Sequence, residues 1–195
     1  MQVAGVIYLH GISQTRMQGT SRRYLDVFSR LCGDSALDKV ILATTMWDVV
    51  KEKEGAEREL DLRRMFWKKM ISQGSTMFRF TGTYESAWDI VHHILQPRIL
   101  PLFPLSLLIQ QELIDLQKLL PETEAGRCLR EALEHILEKQ KEMARELKDG
   151  QNLQQDDELR REYEDNQRKI RSTLAQIKNL KIPLSRRIAI FSGIR

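Results

Sequence analysis

The chain has 195 residues, of which 42% are hydrophobic and 30% charged, and its formal net charge is +4. That length holds one modest domain with a buried core, plus an extension. Lys and Arg alternate with Glu and Asp throughout, which excludes the single-sign stripe of a nucleic-acid surface.

Two cysteines, Cys32 and Cys128, are too few for a disulfide framework and are not spaced as zinc ligands, so a reducing, cytoplasmic setting is the expectation. The first element is Ala4-Gly-Val-Ile-Tyr-Leu9, continuously apolar and rich in β-branched residues, the pattern of a strand covered on both faces. No Lys or Arg precedes it and no small-residue cleavage site follows, so it does not read as a signal peptide. A turn-rich stretch over 10–19 leads to a helix capped by Thr20 or Ser21. That helix carries Tyr24, Leu25, Phe28 and Leu31 on one face and stops at Gly33. Val40-Ile-Leu-Ala-Thr-Thr45 is a second buried strand, and strand–helix–strand in this order predicts a parallel pair.

A helix is expected from about Gly55 to Ser72 with Gly74 as its stop. A short strand, Met77-Phe-Arg-Phe80, follows, then a helix over 85–95 that Pro97 ends. Strands alternating with helices predict an α/β layer architecture. A parallel sheet of two or three strands is seldom complete, so more of the sheet is expected on the N-terminal side. The apolar stretch 99–109 is broken by Pro101 and Pro104 and is only about half a membrane span, so no transmembrane helix is expected.

These residues carry a resemblance. Ala4-Gly-Val-Ile-Tyr-Leu-His-Gly-Ile-Ser13, Arg16-Met17, Phe28-Ser-Arg-Leu-Cys-Gly33, Thr44-Thr-Met-Trp47, Arg79-Phe80 and Glu85-Ser-Ala-Trp88 are similar to the second half of a P-loop GTPase (G domain). The likeness is to fungal GTPase-like proteins akin to the septin and immunity-associated GTPase branch. It covers roughly residues 1–150, with the specific motifs in the first 90. The fold class it implies is a partial parallel-sheet P-loop NTPase fragment followed by a long α-helical, coiled-coil-like extension. In that family residues 4–9 are the strand after the second switch, and 40–45 the strand that leads to the guanine-reading loop.

The family binds GTP and Mg²⁺ through a glycine-rich loop, a Lys and a Ser or Thr. The sequence contains neither G-x-x-x-x-G-K-[ST] nor the Asp-x-x-Gly of the second switch, both of which are expected upstream of Met1. Phosphoryl transfer is almost wholly positioning and charge stabilisation. The chain by itself is therefore expected to hold no cofactor and not to hydrolyse GTP. The guanine-reading stretch is Thr44-Thr45-Met46-Trp47, with Asp48 one place late and Trp47 in the slot of the base-reading Asp. Either Asp48 reads the base from a shifted loop, or Trp47 and Met46 close the sheet end over the helices. Thr83, Glu85 and Ser86 fall where the last guanine-binding loop would lie, with Ser86 alternatively a helix cap.

His10, at the end of a buried strand, occupies a position where parallel sheets often place functional side chains; anchoring the loop is the other reading. Adjacent His92 and His93 point in different directions on a helix and do not chelate one metal. Cys32 reads as a small apolar core residue.

The second half begins with a proline-broken apolar connector over 96–105. A helix marked by Ile109, Leu113, Leu116 and Leu120 follows, stopping at Pro121. From there the spacing alternates four and three. Leu129, Leu133, Ile136, Gln140, Met143 and Leu147 form one series; Leu159, Tyr163, Asn166, Ile170, Thr173, Ile177 and Leu180 form the next. A coiled-coil dimer, a hairpin turning near 148–152, and a solvated single helix all satisfy this pattern. The organisation read is thus 1–96 G-domain-like, 97–121 connector and helix, 122–181 helical arm, and 182–195 unassigned. The alternative to a degenerate GTP-binding protein is an interaction or scaffold protein that self-associates or binds a partner through 122–181, with no nucleic acid and no membrane.

Overall fold

The computed structural model describes residues 3–14, 17, 19–96, 106–149, 157–183 and 186. Two compact units divide the chain, Met1–Gln117 and Lys118–Arg195. The connector at 97–105, residues 150–156, which include most of the turn expected near 148–152, and the tail beyond 183 other than Arg186 lie outside the described residues. Among the described residues, no helix is long and apolar enough to cross a membrane.

The first unit is an α/β layer on a three-stranded parallel sheet in the order β1-β2-β3. β1 (Val6–Gly11) is followed by α1 (Thr20–Cys32), a 3₁₀ turn, and β2 (Val40–Thr45). α2 (Glu52–Asp61), α3 (Lys68–Ser72), β3 (Thr76–Arg79) and α4 (Tyr84–Leu95) complete the layer. β1 begins two residues later than expected because its ladder with β2 runs from Val6↔Val40 to Gly11↔Thr45, which draws His10 and Gly11 into the strand. Gly33 does terminate α1, at φ 78°, and a Cβ there would lie 2.7 Å from Leu108 Cβ, so glycine is required.

β2 is buried on both faces. Val40 and Leu42 join Leu25 and Cys32 of α1 with Leu62, Trp67 and Met70 in one core; Ile41 and Ala43 join Ile90 of α4, flanked by Phe78 and Ile94, in another. Full burial of a side chain of this kind contributes about 1.5–3 kcal/mol. The expectation that the first strand is covered on both faces does not hold. Val6 and Tyr8 pack on the first core, but Leu9 is 63% exposed, because β1 is an edge strand and the second-face core is built on β2 and β3.

The single helix expected over 55–72 is α2 and α3 joined by a π turn, Leu62–Phe66, closed by Trp67 N–H donating to Leu62 O at 2.7 Å. The extra residue turns Leu62, Trp67 and Met70 together into the core. Thr83, not Ser86, caps α4: its Oγ1 accepts the Ser86 backbone N–H at 3.2 Å. The helix expected up to Pro121 is α5 (Leu108–Gln110) running into a π turn, Gln111–Asp115. It ends at Leu116, because Gln117 adopts φ 49° and breaks the ladder.

The second unit is an antiparallel-type helical hairpin of α6 (Glu124–Asp149) and α7 (Asp157–Asn179), closed by Leu133, Leu137, Ile177 and Leu180. Of the three arrangements the heptad pattern allows, the chain adopts the hairpin. Of the series expected in α7, Asn166, Thr173, Ile177 and Leu180 are buried and Tyr163 and Ile170 half-buried. The α6 series shifts: Leu137 and Ala144 are buried, Ile136 is half-buried, and Met143 is 50% exposed. The α6 seam runs Leu129, Leu133, Leu137, Gln140, Ala144, a spacing nearer the 3.6-residue period of a straight helix than the strict heptad. Gln140, Asn166 and Thr173, which break the apolar series, meet one another. Asn166 Nδ2 donates to Gln140 O at 2.9 Å, and Thr173 Oγ1 donates to Gln140 Oε1 at 3.1 Å.

Candidate functional site

The residues singled out by sequence converge at the C-terminal end of the sheet, where open α/β folds bind ligands. Thr44 is fully buried, with Oγ1 within reach of Phe78 O at 3.3 Å and Glu59 Oε1 at 3.5 Å. Thr45 Oγ1 donates to His10 O at 3.4 Å. Met46 turns the chain through a left-handed φ of 61° into a short 3₁₀ turn, Trp47–Val49. Ser13 Oγ donates to Met46 Sδ at 3.3 Å.

That turn folds Trp47 back over the strand end. Its Nε1–H donates to Thr44 O at 3.2 Å and Thr44 Oγ1 at 3.1 Å. One ring face lies on α2 at Gly55, where a Cβ would approach the ring to 2.7 Å. The Arg79 guanidinium carbon lies 4.3 Å from the ring centroid, a cation–π distance. Arg79 in turn grips Glu59 of α2 with Nε at 3.0 and 2.9 Å from the two carboxylate oxygens. This hydrogen bonding holds the guanidinium pKa above its ordinary value. Arg58 Nη1 donates to Ile12 O at 3.0 Å and Ser13 O at 3.1 Å, tying α2 to the loop after β1.

Thr44, Thr45 and Trp47 are therefore brought together, and each directs its polar hydrogens to the protein itself. Asp48 is exposed on the 3₁₀ turn. Thr83 and Ser86 are occupied in the α4 cap, where Thr81 N–H donates to Ser86 Oγ at 3.2 Å. Glu85 is exposed. Sequence reasoning missed Glu59, Arg58 and Gly55. A glycine inside a helix is unfavourable by about 1 kcal/mol, so Gly55 was the readable signal that another group approaches the backbone there.

His10 is buried edge-on against Trp67, ring centroids 6.0 Å apart at 82°, and burial lowers its pKa, so the neutral imidazole is favoured. Trp67 Nε1 is buried and makes no hydrogen bond among the described residues. His93 Nε2 lies 3.2 Å from Thr76 Oγ1 while His92 faces solvent, so the pair diverges as expected. Burial pushes the Cys32 thiol up to about 11, which makes it an inert core residue. Among the described residues no three His, Cys, Asp or Glu side chains gather as metal ligands.

No protein-family model matches this chain, and neither a curated protein nor a solved structure matches it.

Proposed function

We propose that the chain is a degenerate G-domain-like module that does not bind or hydrolyse GTP by itself and acts through protein contacts. The observation that carries this reading is the seat of Trp47, between Gly55 and the Arg79 guanidinium, in the slot where the resemblance expects a base-reading Asp. An aromatic ring there offers no acceptor to the guanine N1 and N2 hydrogens, and Thr44 and Arg79 are engaged by Trp47 and Glu59. Two further features support it: three parallel strands stand in sequential order, and no phosphate-cradling glycine loop occurs in the 195 residues.

Isothermal titration of the full chain with GTP or GDP and Mg²⁺ is expected to give no saturable heat at micromolar concentration, and a phosphate-release assay no turnover. Micromolar binding would overturn the reading. In the hairpin the heptad seam is occupied within the chain. A partner of residues 122–181 would therefore meet its outer faces, where Met143 and Leu174 are exposed.

A further inference from the structure

Beyond the seat of Trp47, a groove of about 270 Å³ runs between α2 and β3. Ala56, Glu59, Leu60 and Arg63, on one flank of α2 and its π turn, form the wall, and residues 77–79 of β3 form the floor. Among the described residues β3 pairs with β2 alone, so its other side is an edge. Phe80 N–H donates to Thr44 O at 2.8 Å, which turns the amides and carbonyls of residues 76, 78 and 80 towards β2. Backbone groups alternate sides along a strand, so those of Met77 and Arg79 face outwards.

Three features identify what fits this groove. Two outward amide–carbonyl pairs, two residues apart on one strand, are met together by the backbone of another extended segment. The α2 side of that segment would lie against Leu60, 42% exposed, and half-buried Ala56 and Met77, which suits apolar side chains at alternate positions. The third feature is charge. Arg79 is held by hydrogen bonds from Glu59, with Glu52 adding a favourable charge. Arg63 is exposed and makes no ion pair or hydrogen bond among the described residues. On the opposite sheet face, exposed Asp89 stands one turn before His93, whose ring is 5.0 Å from Phe78 of β3. An acidic side chain is therefore favoured on the α2 side of an added strand and opposed on the α4 side.

We propose that β3 takes up an extended segment of a partner protein as a fourth strand, with alternate apolar side chains towards Met77 and Leu60 and an Asp or Glu among them facing Arg63. The proposal rests on the reading of the chain as a module that acts through protein contacts and is independent of whether nucleotide binds.

The test titrates the full chain into a fluorescein-labelled peptide of about nine residues, with Val at alternate positions, Thr between them, and one Glu in place of a Val. Saturable anisotropy below about 1 mM is expected, and amide hydrogen exchange at Met77 and Arg79 should slow while β1 is unaffected. N-methylation of one of the two alternating sets of peptide amides should abolish binding, and of the other set leave it intact. Exchanging the peptide Glu for Lys, or moving it into the Thr series, should weaken binding by about fivefold or more, and Arg63→Glu should reverse the preference between the Glu and Lys peptides. Thermal melts check the fold of the variant; should Arg63→Glu not retain it, Arg63→Gln takes its place and should abolish the preference. The proposal is overturned by an absence of saturation, by protection at β1 instead of β3, by equal effects of the two N-methylation patterns, or by an unchanged preference in the folded variant. A dimer of the full chain that slows exchange at the same two amides without peptide would assign the edge to a second copy, and would equally overturn it. The nucleotide titration is read separately, so either idea can fail without the other.

Discussion

Gly55 and His10 each do what their residue type alone does not announce. A Cβ at Gly55 would press into the Trp47 ring at 2.7 Å. Gly55→Ala gains up to about 1 kcal/mol of helix propensity, but overpacking costs about 1–3 kcal/mol. A net fall in the denaturant midpoint is expected, recovered when Trp47→Ala removes the ring. A midpoint that rises would mean that the ring yields freely. At His10 the sign follows from linkage: burial lowers the folded pKa below the ordinary histidine value of 6.5, so the unfolded chain takes up the proton first. The contribution of the neutral imidazole is complete above pH 6.5 and declines as pH falls from there towards the folded pKa. Stability measured from pH 7.5 to pH 5 should decline more steeply in the wild type than in His10→Leu. Parallel profiles would exclude His10 as the source.

At the scale of elements, the hairpin joins an apolar end to a polar middle. Leu133, Leu137, Ile177 and Leu180 supply apolar burial, while Asn166 and Thr173 reach across to Gln140. Interhelical bonds of this kind specify register, because a slipped pairing would leave buried polar groups unmatched. Asn166→Ala is expected to destabilise the hairpin by about 1–2 kcal/mol, read from helicity against denaturant. Leu137→Lys should remove most of its cooperativity, whereas Met143→Lys should stay within about 0.5 kcal/mol of the wild type. Equal effects of Leu137→Lys and Met143→Lys would contradict the observed seam.

At the scale of the molecule, the sheet has two edges, and β1 is an edge with one bare face. Its six residues, Val6–Gly11, contain no Pro and no charge, the devices by which edge strands avoid templating further strands. Concentrated full chain is expected to scatter light increasingly with time, and Leu9→Lys to suppress this without lowering the melting temperature, since Leu9 is mostly exposed. A wild type that stays clear under the same conditions would show that the edge is inert.

Sequence by itself determined the element order, the βαβ unit and the α7 seam. β2 was legible to the residue, Val40–Thr45, because burial on both faces writes a continuous apolar run. Trp47 and its neighbours were legible as a departure from the resemblance, with closure of the sheet end as one of two readings, but which residues complete that closure was not legible. That depended on Glu59 and Gly55 arriving from a helix that follows in the chain, and contacts between elements carry no local periodicity. The same reason hid the π turn at Leu62–Phe66, the shift of the α6 stripe from Met143 to Ala144, and the bare face of β1. An apolar residue looks alike in sequence whether its neighbour is present or not. Burial is decided only when α4 settles over β2 and β3, and the hairpin when Gln140 finds Asn166 and Thr173.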